Sequence, residues 1–212
     1  MAKIEHLPPK KDRKKFGNLE FYTDKFGNNI MKSKPLDMPR ALKINSLRMA
    51  KLRKLISPVL SNINTAYAGT VFGKKMCAFN CVVTINQKQC FIGDTDTIDP
   101  GLFVLCDNDG SFVGNVVLTS TEADTITATF DSNAQNEDET DDPVKAYGLD
   151  VSGNKIWQFE QESARSSGTM TVTHPEMSGM DIAVYLECLD RVNLFMGKPR
   201  HVIKYVGSVK VI

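Results

Sequence analysis

The longest helical pattern in the chain runs from Arg40 to Ala68. Aliphatic residues recur there at intervals of three, four and seven, which places them on one side of a helix of period 3.6. Pro58 would interrupt a helix interior, but Ser57 is a favourable N-cap and proline is favoured at the first helical position. We therefore predict two helices that meet at Ser57. The residues expected to be buried are Ile44, Leu47, Leu52, Leu55, Ile56, Val59, Leu60 and Ile63.

Beyond Gly93 the pattern changes to short segments rich in valine, isoleucine, threonine and aromatic residues. Glycine, asparagine, aspartate and proline separate these segments at the spacing of an antiparallel β-sandwich. In one of them Trp157 and Phe159 alternate onto the same face, where a sandwich core would bury them. Residues 76–91 fit either a helix or a strand. The predicted strands are 101–106, 113–119, 125–130, 144–150, 155–162, 169–173, 181–189 and 202–212.

A β-hairpin is predicted before the helices. Leu19 to Tyr22 and Asn29 to Lys34 flank Gly27-Asn28, a pair that tolerates positive φ. A two-stranded hairpin is marginally stable alone, so it needs a surface to lie on.

The chain as a whole is predicted to be mainly β with an α-helical N-terminal segment. Residues 1–16 carry prolines and many lysines without apolar periodicity, which is typical of an extended basic arm. Residues 17–92 would hold the hairpin and two or three helices, and residues 93–212 the antiparallel β-sandwich domain.

Charge is distributed unevenly, although the whole chain carries only +1. Residues 1–75 hold 17 Lys and Arg against 5 Asp and Glu, whereas residues 76–212 hold 9 against 20. The two parts, at +12 and −11, would attract oppositely charged partners or each other in neighbouring copies. The basic residues predicted to bind a partner are Lys10, Lys11, Arg13, Lys14, Lys15, Arg48, Lys51 and Lys54.

The most acidic segment is residues 131–142, with six acids in twelve residues. Mutual repulsion and the absence of an apolar anchor predict a mobile loop between strands. The loop is either a solubilising insertion or a docking surface for cationic groups. In the second interpretation the contacts are Glu137, Asp138, Glu139, Asp141 and Asp142.

Motifs for chemistry are few. His6, His174 and His201 fall in the arm or in predicted turns and form no recognisable catalytic set. Asp94 to Asp96 and Asp107 to Gly110 contain acids but lack the spacing of a calcium loop. We therefore predict that the protein is not an enzyme and uses no metal or cofactor.

The cysteines and the hydropathy bear on location. Five cysteines without a CxxC pair predict free thiols and a reducing cytoplasm. No apolar run approaches the length of a membrane span, so no membrane partner is expected.

A resemblance to a known family is carried by five stretches: GNLEFYTDKFGNNIMKSKP, LRMAKLRKLISPV, ITATFDSN, DDPVKAYGLD and YVGSVKV. From Gly17 onward the chain resembles an uncharacterised family of Bacteroidota proteins, also carried by their phages, known only as a domain of unknown function. The resemblance implies a hairpin and helices, with residues 76–91 helical, leading into an immunoglobulin-like or fibronectin-like sandwich. It implies no catalytic residues. The basic arm and the acidic segment depart from the family pattern.

These observations favour a non-enzymatic structural assembly protein. The resemblance makes a phage virion component, such as a capsid, neck or tail subunit, the most specific expectation, with assembly in the host cytoplasm. Its partners would be copies of itself or neighbouring structural proteins, reached through the arm, the hairpin and the charged surfaces. The alternative is a nucleic-acid-binding module that uses the basic arm and the helix face, although the stacking aromatics of single-strand binders are missing.

Overall fold

The computed structural model of the protein describes residues 19–23, 29–33, 40–67, 77–150, 152 and 155–212. The chain forms two compact units, residues 1–43 and 44–212. In the first unit β1 (Leu19–Thr23) pairs antiparallel with β2 (Asn29–Ser33), which confirms the strands of the predicted hairpin. The predicted hairpin turn and the basic arm lie outside the described residues.

The helical stretch agrees closely with its predicted limits. α1 (Arg40–Ile56) continues into a 3-10 turn (Ser57–Val59) and then into α2 (Leu60–Ala66). The interruption falls at the predicted place, since Pro58 has no amide hydrogen to donate. Ser57 is not an N-cap, however, because the backbone before it stays helical and no side chain caps the turn. The two helices are therefore joined by a tightened turn instead of a capped break.

The predicted apolar stripe is buried only from Leu52 onward. Leu55 is 1% exposed, whereas Leu47 is 57% exposed, so its prediction as a core residue is wrong. Leu47 precedes Lys51 by four residues and Lys54 by seven, and it therefore shares their face of the helix.

The ambiguous residues 76–91 are mainly helical, as α3 (Ala78–Gln89). The next segment, residues 101–106, is irregular, so the strand predicted there is wrong. The reason lies in Asn86 of α3, whose side-chain amide donates to the Val104 carbonyl at 2.7 Å and accepts from the Val104 amide at 2.8 Å. A side chain thus supplies the hydrogen bonds that a neighbouring strand would have made.

Two antiparallel sheets follow, and the chain is mainly β, as predicted. The strands are β3 (Gly114–Thr119), β4 (Thr125–Asp131), β5 (Pro143–Asp150), β6 (Ile156–Ala164), β7 (Thr169–Thr173), β8 (Asp181–Phe195) and β9 (Lys198–Lys210). The three-stranded sheet has the order β3-β4-β7 and the four-stranded sheet the order β6-β5-β8-β9. β8 continues six residues past its predicted end at residue 189, and β9 begins four residues before its predicted start at residue 202.

The four-stranded sheet is covered on both faces. Even-numbered residues of β8 from Ile182 to Cys188 pack in the core shared with the three-stranded sheet, together with Trp157 and Phe159, whose burial was predicted. Ala183 and Tyr185 pack in a second core with the helices. A strand buried on both faces reads as a continuous apolar run, which explains the composition of β8.

Candidate interaction surfaces

Arg48, predicted to bind a partner, instead holds a loop of its own unit. Its Nε donates to the carbonyl of Thr95 at 2.8 Å, and its guanidinium also donates to the carbonyl of Gly93. The guanidinium carbon lies 4.9 Å from the ring centroid of Phe91, a cation–π distance. These contacts engage much of the hydrogen-bonding capacity of Arg48 internally.

The remaining predicted basic contacts differ in their surroundings. Lys51 Nζ lies 3.5 Å from the carbonyl oxygen of Ser152, whereas Lys54 faces solvent. α1 therefore does not present its cations as one continuous free face. The arm residues Lys10, Lys11, Arg13, Lys14 and Lys15 lie outside the described residues.

The acidic segment 131–142 is folded onto the sheets, so the prediction of a mobile loop is wrong. It contains the short helix α4 (Glu137–Thr140), whose N-cap Asn136 accepts a hydrogen bond from the Glu139 amide at 3.0 Å. Glu139 is 0% exposed and Asp142 4%, and these two cannot meet a partner at the surface. The predicted contacts that remain exposed are Glu137, Asp138 and Asp141.

A buried ion pair anchors this segment. Arg165 Nη1 lies 3.3 Å from Glu139 Oε2, and the two side chains are 1% and 0% exposed. Ser111 bridges them, because it accepts from Arg165 Nη2 at 2.9 Å and donates to Glu139 Oε2 at 2.8 Å. The other carboxylate oxygen accepts the Arg191 amide at 3.0 Å. Buried charges are tolerated when they are paired and hydrogen-bonded in this way.

The pKa of Glu139 reflects the same contacts. Burial alone would raise the pKa, but the backbone amides of Gln135 and Arg191, the Ser111 hydroxyl and the Arg165 charge outweigh it and hold the pKa below its ordinary value. The carboxylate therefore stays ionised at neutral pH, although it is out of contact with water.

His201 does not lie in a surface connection as predicted, but in β9, where it is half-buried. Its Nδ1 is 2.5 Å from Glu187 Oε1. The Tyr147 hydroxyl donates to the other Glu187 oxygen and accepts from Asn62 Nδ2, at 3.0 Å. Burial, and then the Glu187 charge, raise the pKa of Tyr147, so the phenol remains a donor. This chain of bonds ties α2 to three strands of the sheet.

The β8–β9 hairpin ends in an exposed segment that we did not predict, residues 191–198, which we call the β8–β9 tip. Asp190 pairs with Arg200, and Phe195 pairs with Lys198. The four residues between Asp190 and Phe195 therefore have a single residue opposite them. Such a bulge breaks the ladder and turns side chains away from the sheet.

The β8–β9 tip carries large apolar side chains into solvent. Val192, Leu194 and Met196 are 51%, 53% and 71% exposed. One exposed aliphatic residue is ordinary, but a group of three within five residues is typical of an interaction site.

Polar contacts at its base hold the tip in place. The Asp190 carboxylate accepts the amides of Val192 and Asn193 at 2.9 and 3.1 Å, and the Asn193 side chain at 2.8 Å. Arg191 Nε donates to Asp142 Oδ2 at 2.7 Å. The acidic segment thus fixes the base of an apolar projection.

The turn at the end of the tip is conformationally costly. Met196 and Gly197 have φ values of 49° and 75°, which fit the two central positions of a type I′ turn. Asparagine and glycine are the usual residues there, and a methionine at positive φ is uncommon. A residue that is both strained and exposed is a reason to look for function at that position.

A cleft of about 460 Å³ lies between the middle of β9, residues 203–205, and the irregular segment 101–109. Its buried apolar lining includes Phe103, Leu105 and Ile203. Asp107 and Asp109, in the same lining, are exposed. The cleft therefore combines an apolar floor with an acidic rim.

Comparison with protein-family models and with curated proteins found no match for this chain. Within the described ranges, no cluster of three or more histidine, cysteine, aspartate or glutamate side chains could hold a metal ion. In the same part of the chain, no helix has the length and apolar character that crossing a membrane requires.

Proposed function

We propose that the protein is a non-enzymatic structural subunit that associates with copies of itself or with neighbouring structural proteins. The observation that carries this proposal is the β8–β9 tip, which exposes Val192, Leu194 and Met196 on a base fixed by Asp190 and Arg191. Contacts made by a rigid, preorganised apolar group lose little conformational entropy on binding. The tip is therefore suited to a stable assembly.

The finer form of the proposal is a phage virion component built on an immunoglobulin-like or fibronectin-like sandwich. The resemblance of the sequence to a phage-carried family supports the virion assignment. The strand order supports the sandwich: with the seven strands from β3 to β9 lettered A, B, C, C′, E, F and G, the sheets are A-B-E and C′-C-F-G. Related arrangements recur in cell-surface and assembly domains.

A nucleic-acid-binding module is the second candidate. It is favoured by the exposure of Arg53 and Lys54 on α1. Such a surface would bind phosphates without base specificity and with a strong dependence on salt.

Size-exclusion chromatography with light scattering tests both candidates. The full chain should form a concentration-dependent oligomer without nucleic acid, and Leu194→Ser combined with Met196→Ser should weaken it about tenfold or more. Ile92→Ser is the matched control, because Ile92 is an exposed apolar residue, 53% exposed, outside the tip. A monomer that shifts only when a duplex is added would support the second candidate and contradict the first.

A further inference from the structure

We propose that the β8–β9 tip of one copy docks into the cleft between β9 and segment 101–109 of a second copy. This inference rests on the proposed function and names the surface that the tip would contact. It makes the association head to tail, because tip and cleft are different surfaces of the same chain.

The apolar parts of the two surfaces match. The tip presents a short aliphatic row that ends in Met196, an unbranched side chain that adapts to irregular cavities. In the cleft the ring of Tyr205, 38% exposed, is the apolar group that a partner can cover, because the floor of Phe103, Leu105 and Ile203 is at most 3% exposed. The volume of the cleft, about 460 Å³, is within the range of sites that enclose small groups. Insertion of the tip would cover its own aliphatic side chains and the ring of Tyr205 in the second copy.

The charges are complementary as well. Lys198, in the tip, is exposed, whereas Arg200 hydrogen-bonds Asn108 in the lining of its own cleft at 3.2 Å. The cleft rim carries Asp107 and Asp109, offset in part by Lys204, whose Nζ is 3.9 Å from Asp109 Oδ1. Among the lining residues, two aspartates against one lysine leave a net negative charge, which would attract Lys198 of an incoming tip.

Geometry separates the tip from the cleft of its own chain. Lys198 begins β9, and the cleft residues Ile203 and Tyr205 lie five and seven positions further along it. At about 3.3 Å for each residue, this is roughly 17 to 23 Å of strand. A hairpin continuous with the sheet cannot fold back over that distance, so the contact forms between copies. A heterologous contact of this kind builds rings or open filaments.

The decisive experiment mixes two defective variants. Leu194→Ser with Met196→Ser removes the tip, and Asp107→Lys with Asp109→Lys reverses the charge of the cleft rim. Each variant alone should associate at least tenfold more weakly than wild type, while their equimolar mixture should form a dimer that does not grow. The dimer is expected because one intact tip and one intact cleft remain in the mixture.

Control variants exclude trivial explanations. Asp138→Lys with Glu160→Lys makes the same charge change at exposed positions outside the cleft, and it should assemble like wild type. Thermal melts of all variants verify folding. If the lysine substitutions disturb the loop, Asp107→Asn with Asp109→Asn serves as the milder cleft variant. It should weaken association about threefold.

Three results would overturn the inference, and they are distinguishable. Wild-type oligomers that the cleft variants leave unchanged would refute the docking site but leave the proposed function intact. A wild-type chain that stays monomeric at all concentrations would refute both. Tip-dependent flotation with phosphatidylserine vesicles, without self-association, would show that the tip contacts a lipid surface instead of a second copy.

Discussion

The acidic segment 131–142 and the β8–β9 tip show that amino-acid composition does not by itself determine which side chains are buried. The first is rich in carboxylates, yet Glu139 and Asp142 are buried; the second is rich in aliphatic residues, yet Val192, Leu194 and Met196 are exposed. Glu139 is buried because Arg165, Ser111 and backbone amides converge on its carboxylate, and Asp142 binds the guanidinium of Arg191. Val192 and Leu194 lie in the bulge that interrupts the ladder, and Met196 lies in the turn beyond it. Burial here follows the partners available, not the residue type.

The two regions are also mechanically connected. Arg191 is the first residue of the tip, and its amide and guanidinium bind Glu139 and Asp142 of the acidic segment. A buried ion pair is weak evidence for stability but can fix one arrangement of the chain. We interpret the pair as the support that holds the tip.

The largest effect is expected from breaking the buried ion pair. Arg165→Ala leaves the Glu139 carboxylate buried without its cation, and it should lower the free energy of unfolding by about 3–5 kcal/mol. The matched control is Lys145→Ala, which breaks the partly exposed pair with Glu162 and should cost about 1 kcal/mol or less. Urea denaturation of both variants measures the difference.

A double variant sharpens this test. If Arg165→Met combined with Glu139→Gln is much less destabilised than the sum of the two single variants, the two charges are coupled as the structure indicates. Equal costs for Arg165→Ala and Lys145→Ala would contradict the assignment of a buried anchor.

The next effect depends on pH. The pKa of Glu139 is held below its ordinary value in the folded protein, so its ionisation adds stability above the unfolded pKa of about 4.3. That contribution is lost as the pH falls through the lower folded pKa. The stability difference between wild type and Glu139→Gln should therefore be largest near neutrality and shrink below about pH 4. Thermal melts between pH 3 and pH 7 provide the measurement, and a difference that grows on acidification would contradict the argument.

Most of the fold could be predicted from local pattern. The alternation in β4 and β7 and the helical period of α1 are strong signals, and both gave nearly correct limits. Segment 101–106 has the composition of a strand but lacks a neighbouring one, because Asn86 binds its backbone from α3. That contact joins residues eighteen positions apart, and no local pattern reports it.

The candidate sites were less predictable, for a related reason. Charge counts located the acidic segment but not its burial, since Arg165 lies beyond β6 and is only one cation among many in the sequence. For the tip, one signal was present: a methionine directly before Gly197, where asparagine is usual in a two-residue turn. The cleft has no sequence signature, because its walls come from separate parts of the chain.

A smaller effect is expected at the junction of the two regions. Asp142→Asn removes the charge that binds Arg191 while keeping the side-chain shape, and it should cost about 1.5 kcal/mol. The loss should be local: amide hydrogen exchange should accelerate in residues 191–198 more than in the centre of β8. Asp141→Asn, at the exposed neighbouring position, is the control and should change neither quantity. Uniform acceleration across β8 would mean that the tip has no separate support.

The smallest effect on stability is expected at Met196, and its sign is informative. Because Met196 has a φ of 49°, Met196→Asn should relieve strain and raise the free energy of unfolding by about 0.5 kcal/mol. The same change removes a side chain that is 71% exposed, so an assembly contact through the tip should weaken severalfold. Met196→Val, which puts a β-branched residue at positive φ, should destabilise the fold instead.

Denaturation and light scattering on the same samples measure the free energy of unfolding and the strength of association. A Met196→Asn protein that is more stable but associates less would separate folding from assembly at one residue; a protein that gains stability and associates unchanged would place the assembly contact elsewhere.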